Sequence, residues 1–126
     1  MNALHTTSLA FAVVGSPIGH SKSPAMHRAA YRALGLPHTY EAILANGDEL
    51  PAIVDRLRRG ELSGINVTVP HKKRVLGLVD VIDSTAALVD AANTLVRDDA
   101  GRVHAFNTDT PALADELREL VPEAPV

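Results

Sequence analysis

Three short polar runs carry the chemistry of this chain: Gly15-Ser16-Pro17-Ile18-Gly19-His20-Ser21-Lys22-Ser23-Pro24, Asn66-Val67-Thr68-Val69-Pro70-His71-Lys72 and Asn107-Thr108-Asp109. In the first, Ser23 as N-cap and Pro24 at the first helical position predict a helix start, with Ser21 supplying a second hydroxyl. Free backbone N–H groups and the dipole at such a start suit a carboxylate or phosphate. Ser23 alone reads as a plain helix cap. Ser21 and Ser23 together, after a glycine-bearing turn, point to an anion site. In the second run, Asn66 and Thr68 lie two residues apart and so face the same side of a strand. An amide and a hydroxyl in an otherwise apolar strand need partners, either neighbouring loops or the hydroxyls of a ligand. Pro70 ends that strand and places Lys72 at its carboxyl end, while His71 reads as a loop residue without a catalytic role. In the third run, Asp109 is either the N-cap of a last helix or a partner of Lys72. Asn93-Thr94, at the start of another strand, is either a turn or a ligand to hydroxyls.

Of the twelve basic residues nine are Arg, and the three lysines, Lys22, Lys72 and Lys73, all fall in or beside these runs. Codon bias toward Arg accounts for this as well as a need for an amine that can lose its proton, which Arg cannot supply.

The elements that must position these residues are legible from periodicity. The apolar run at residues 9–14 ends at Gly15 and predicts a strand buried on both faces. Residues 24–34 carry Ala25, Met26, Ala29, Ala30, Ala33 and Leu34 at helical spacing, with Gly35 as C-cap. A second strand is expected over 38–44 and an amphipathic helix over 47–59, with Leu50, Ile53, Val54 and Leu57 on one face. A third strand over 64–69 is followed by short helices at 71–78 and 83–89. Strands at 94–97 and 102–106 are joined by Asp98-Asp99-Ala100-Gly101, a hairpin signal. A final helix is expected over 111–120. The predicted class is α/β, a mostly parallel sheet with helices on both faces and an antiparallel hairpin near the C-terminus. Ligands of such sheets lie outside the carboxyl ends of the strands, where the polar runs fall.

At 126 residues and 46% apolar, one domain is expected, residues 1–121, with 122–126 a fraying tail. With two Phe, two Tyr and no Trp, the core must be aliphatic. A net charge of -3 with interspersed signs suggests no nucleic-acid face and no membrane patch. The absence of cysteine removes disulfides and thiolate zinc sites, and no metal ligand set stands out. No secretory leader or spanning segment is evident, so a cytoplasmic protein is expected.

The stretches 15–24, 66–72, Asn93-Thr94-Leu95 and Asn107-Thr108-Asp109 resemble, in order and spacing, the substrate-domain motifs of the shikimate/quinate dehydrogenase family. The resemblance runs from Leu9 to about Leu120. It implies that Ser21 and Ser23 hold a substrate carboxylate, that Asn66, Thr68, Asn93 and Asp109 bind ring hydroxyls, and that Lys72 and Asp109 form the catalytic pair. It also implies interconversion of shikimate and 3-dehydroshikimate with NADP, in aromatic amino acid biosynthesis. Thr110 stands where that family has Gly after Asn-Thr-Asp, and Asp90-Ala91-Ala92 where it more often has Gly-Ala-Val.

The eight glycines form no G-x-G-x-x-G, so the nucleotide-binding domain is expected to be absent and NADP not to bind this chain alone. Loss of the family's C-terminal helices would leave apolar surface bare, so self-association or a separate cofactor-domain partner is expected. Two other readings stay open: a stand-alone module that holds shikimate-like carboxylates without redox chemistry, and a cofactor-free enzyme using Lys72 and Asp109 as acid and base.

Overall fold

The computed structural model describes residues 8–16, 18 and 21–110. The expected helix at 111–120, the tail, and Pro17, Gly19 and His20 of the first polar run lie outside the described residues. The elements are β1 (Ala10–Gly15), α1 (Ser23–Leu34), β2 (Thr39–Leu44), α2 (Leu50–Arg58), β3 (Gly64–Val67), β4 (Val81–Ile82), α3 (Ser84–Val89), β5 (Thr94–Arg97) and β6 (Val103–Phe106). They build one six-stranded sheet in the order β2-β1-β3-β5-β6-β4. β1 pairs in parallel with both β2 and β3, and β4 with β6, whereas β5 runs antiparallel to both its neighbours. The expected α/β class with a closing hairpin is therefore the observed one.

The alternation of side chains splits the strands between two faces. Ala12 and Val14 of β1, with Ile65 and Val67 of β3, join Leu50, Val54 and Leu57 of α2 and Ala86 of α3 in the main core. On the other face, Val13 packs with Ile18 and Tyr40, flanked by Phe11 and Tyr31. Asn66 falls on that second face because it is one residue out of step with Ile65 and Val67 and pairs with Val13.

Several boundaries differ from expectation for local reasons. The α1 side chains expected at the helix–sheet contact are exposed, Met26 at 67% and Leu34 at 71%. The helix seats Pro24, His27 and Tyr31 inward instead. Its cap position is Lys22, without a side-chain cap, so Ser23 is the first helical residue rather than the N-cap. Gly35 ends the helix at φ 68°, and the N–H of Leu36 reaches back to the Tyr31 carbonyl. The start of α2 is delayed to Leu50 because Asn46 Oδ1 accepts the N–H groups of Asp48 and Glu49 and holds a turn there. β3 stops at Val67, since Pro70 has no N–H to continue the ladder, although Val69 still accepts from the Ser16 N–H at 3.0 Å. The helix expected at 71–78 is one 3-10 turn, Arg74–Gly77. The two-residue β4 went unforeseen, being too short to show a period.

Among the described residues no helix is long and apolar enough to cross a membrane.

Candidate functional site

The reversed direction of β5 decides where the polar residues meet. The carboxyl ends of β1, β3 and β6 lie at one edge of the sheet, and β5 brings its amino end, Asn93-Thr94, to that same edge. In register, Asn66 faces Thr94, which faces Phe106, directly before Asn107-Thr108-Asp109. At this edge opens a cleft of about 520 Å³ whose polar wall is Ser21, Ser23, Asn66, Thr68, Lys72 and Asn93, with Val13, Ile18, Val67 and Val69 as its apolar wall. Six of the seven expected binding residues therefore line one cavity. The seventh, Asp109, is exposed and stands behind Asn93, whose Nδ2 lies 3.4 Å from Asp109 Oδ2.

Each side chain is placed by its segment. Ser21 Oγ accepts the N–H of Ser23 at 3.3 Å and so supports the first turn of α1. The strand alternation that turns Asn66 to the cleft also turns Thr68 there, two residues on. Lys72 is fixed through its backbone: its carbonyl accepts the Ala92 N–H at 2.7 Å, which joins the loop after β3 to the residue before Asn93. Lys72 forms no ion pair among the described residues, and its link toward Asp109 runs through the Ala92 backbone bond and the Asn93 amide. Of the other two lysines, Lys22 is exposed and Lys73 bonds Asp90 at 3.1 Å, so only Lys72 reaches the cleft.

A chain of hydrogen bonds backs the cleft. Asn66 Nδ2 donates to Thr94 Oγ1 at 3.4 Å, Thr94 Oγ1 to Asn93 Oδ1 at 2.9 Å, and Asn93 Nδ2 to Thr108 Oγ1 at 2.9 Å. Asn107 Oδ1 accepts the Asp109 N–H at 2.9 Å, and the helix that Asp109 was expected to cap lies outside the described residues. The two departures from the family pattern are both accommodated. Thr110 Oγ1 donates to the Thr85 carbonyl at 3.0 Å. Asp90 sits at φ 55°, the left-handed region in which glycine is at ease.

His71, expected in a loop, is a core residue. It is 1% exposed and its Nε2–H donates to the Ala45 carbonyl at 2.6 Å, while Nδ1 has no partner among the described residues. It anchors the segment carrying Lys72 and does not face the cleft. Two residues went unnoticed in the sequence. His27 lines the cleft and donates from Nδ1 to the Ser23 carbonyl at 2.8 Å. Its place four residues after Ser23, on the same helical face, was the available signal. Tyr40 lies against it, and burial pushes its phenol up to about 12, the Ser23 hydroxyl offsetting part of that rise. No group of three or more His, Asp or Glu is placed to hold a metal among the described residues.

This arrangement offers hydroxyl donors at one end, amide and hydroxyl groups along one side and one ammonium at the other end. It suits a small anionic, hydroxylated molecule. Comparison with known proteins agrees. Residues 13–95 match the family described as the shikimate dehydrogenase substrate binding domain. The NADP(+) shikimate dehydrogenase of Methanothermobacter thermautotrophicus is 44% identical over 108 residues, 86% of this chain and 38% of that protein. The structure of shikimate 5-dehydrogenase from Thermus thermophilus, in complex with NADP(H) and shikimate, superposes with a TM-score of 0.78 at 39% identity, over 88% of this chain and 42% of that one. A shikimate 5-dehydrogenase from Mycobacterium fortuitum is 47% identical, with a TM-score of 0.75 over 83% of this chain and 39% of that one. The chain thus spans well under half the length of the relatives it matches. The match nonetheless covers most of this chain, and the chain belongs to the shikimate dehydrogenase family as the substrate-binding domain.

Proposed function

We propose that this chain is the substrate-holding part of an NADP-dependent shikimate dehydrogenase, and that its cleft takes shikimate or 3-dehydroshikimate. The observation that carries this reading is the convergence of Ser21, Ser23, Asn66, Thr68, Lys72 and Asn93 on one cavity. Ser21 and Ser23, at the start of α1, take the carboxylate. Asn66, Thr68 and Asn93 take ring hydroxyls, with Asp109 behind Asn93. Lys72 stands where the secondary alcohol reacts. Oxidising that alcohol removes a hydride from carbon and a proton from oxygen. An ammonium at Lys72 Nζ stabilises alkoxide charge and returns the proton in the reductive direction, with Asp109 orienting it through the Asn93 segment. The nicotinamide that would exchange the hydride does not fit the residues present, because no three of the eight glycines have the G-x-G-x-x-G spacing of a dinucleotide-binding turn. We therefore assign this chain binding, orientation and proton transfer only, and place NADP binding outside it.

The test is a titration of the 15N-labelled chain, first with shikimate and then with NADP. Saturable shifts at Ser21, Ser23, Thr68 and Lys72 with shikimate, and none with NADP, are expected. A folded chain that does not respond to shikimate would overturn the reading.

A further inference from the structure

Tyr40 lies outside all three polar runs, yet the hydrogen-bond chain behind the cleft begins with it. It sits on the edge strand β2 and is 2% exposed. Its ring lies flat on that of His27, with centroids 4.2 Å apart and planes at 7°. From there its hydroxyl reaches across β1 and donates to Asn66 Oδ1 at 2.7 Å. Beyond Asn66 the side-chain donors run through Thr94 and Asn93 to Thr108 and Asp109, while the Thr108 backbone N–H donates back to Asn93 Oδ1 at 3.1 Å.

A backbone N–H can only donate, so the Thr108 N–H sets the Asn93 amide and, through the Thr94 hydroxyl, the direction of the chain at its far end. A side-chain amide presents an oxygen and a nitrogen of nearly equal size, and a threonine hydroxyl donates or accepts as required. At the near end, Asn66 Oδ1 still needs a donor of its own to hold the amide in place. The buried phenol supplies that donor, and its stacking on His27 holds the ring where the O–H reaches Asn66. With Oδ1 held by Tyr40, Asn66 Nδ2 is committed to Thr94, leaving one N–H and one lone pair of Asn66 for a ligand hydroxyl.

We propose that Tyr40 is a positioning residue for hydroxyl recognition: it orients the Asn66 amide, and so selects ligands that carry a ring hydroxyl beside Asn66 over those that carry only a carboxylate. The inference rests on the reading of the cleft as a site for a cyclic hydroxy acid. It also assigns the edge strand, which carries no ligand of its own, a part in specificity.

Tyr40→Phe tests this, since it keeps the ring and its stacking and removes one donor. In the 15N-labelled chain, the Asn66 side-chain N–H bonded to Thr94 is expected to exchange slowly with solvent in the wild type and markedly faster in the variant. Shikimate should bind about tenfold more weakly to the variant, the usual consequence of one lost hydrogen bond at a polar site. Cyclohex-1-ene-1-carboxylate, which has the carboxylate but no ring hydroxyls, should bind both proteins within about twofold. Equal losses for the two ligands would indicate general loosening and overturn the proposal, as would an unchanged Asn66 amide. A wild-type chain that binds no shikimate would remove the functional reading instead, and the Asn66 amide would still decide whether Tyr40 orients it.

Discussion

Gly15 and Thr68 meet where β1 and β3 leave the sheet, and the cleft depends on how closely they do so. A Cβ on Gly15 would collide with the Thr68 methyl group and lie 3.1 Å from the Val69 carbonyl and 3.2 Å from Ile18 Cδ1. Gly15→Ala should therefore cost about 1–3 kcal/mol, the usual penalty of overpacking. It should also weaken shikimate binding by turning Thr68 aside; thermal melts and a ligand titration on the same sample check both. Lys72→Ala should do the reverse. In the full-length enzyme it should lower kcat roughly 10²–10⁴-fold, the range of general acid–base catalysis, with a much smaller change in KM. Steady-state kinetics decide this, and a normal kcat would remove Lys72 from the chemistry. At this scale the polar ligands were legible because polar side chains in apolar strands stand out. His71 and Tyr40 were not. A histidine beside a lysine looks like surface, and only the packing of the 3-10 turn against Ala45 buries it. A tyrosine on an edge strand carries no mark of where its hydroxyl will point.

The hairpin between β5 and β6 holds the reversed strand in place, and its turn is an electrostatic knot. Asp98 accepts from His104 Nε2 at 2.7 Å and from the backbone N–H groups of Arg102 and Ala100, at 3.0 and 2.9 Å. The His104 bond first, then these N–H groups, hold the Asp98 carboxyl well below the usual range. A carboxyl with a lowered pKa in the folded state contributes stability that is present above its unfolded value of about 3.9 and is lost as the pH falls below it. Asp98→Asn should consequently give a less steep acid limb below about pH 4. Urea midpoints measured between pH 2 and 7 for both proteins test this, and identical slopes would dismiss it. The strands with long apolar runs and the Asp98–Gly101 turn were evident from local sequence. The outward apolar side of α1 was not, since helical spacing says which residues share a face but not which face the sheet will take.

Over the whole molecule, the wall beyond Lys72 stays apolar and open. Val69 is 60% exposed and Val89 44%, and with Pro70 and Ala91 they form a surface next to the cleft, edged by Lys73 and Asp90. Exposed patches of this kind seek cover. The 126-residue chain should associate reversibly with rising concentration in sedimentation velocity, and Val89→Glu should shift it toward monomer. A wild-type monomer that stays monodisperse at high concentration would count against this. The convergence of residues from Ser21 to Asn93 on one cleft was the least legible property in local sequence. It requires the sheet order, and above all the reversal of β5, which no local pattern announces.

That reversal also has a bearing on time. Asn66 and Thr94 are cross-strand neighbours although 28 residues separate them, and β5 must slot between β3 and β6 before they can touch. Contacts of such separation close late, after shorter loops have formed. The ligand cannot grip a partly folded chain, so shikimate should leave the refolding rate almost unchanged and act on unfolding alone. In a chevron plot its stabilisation should therefore appear entirely on the unfolding limb, so that the bound cleft outlasts the free one without being built any sooner.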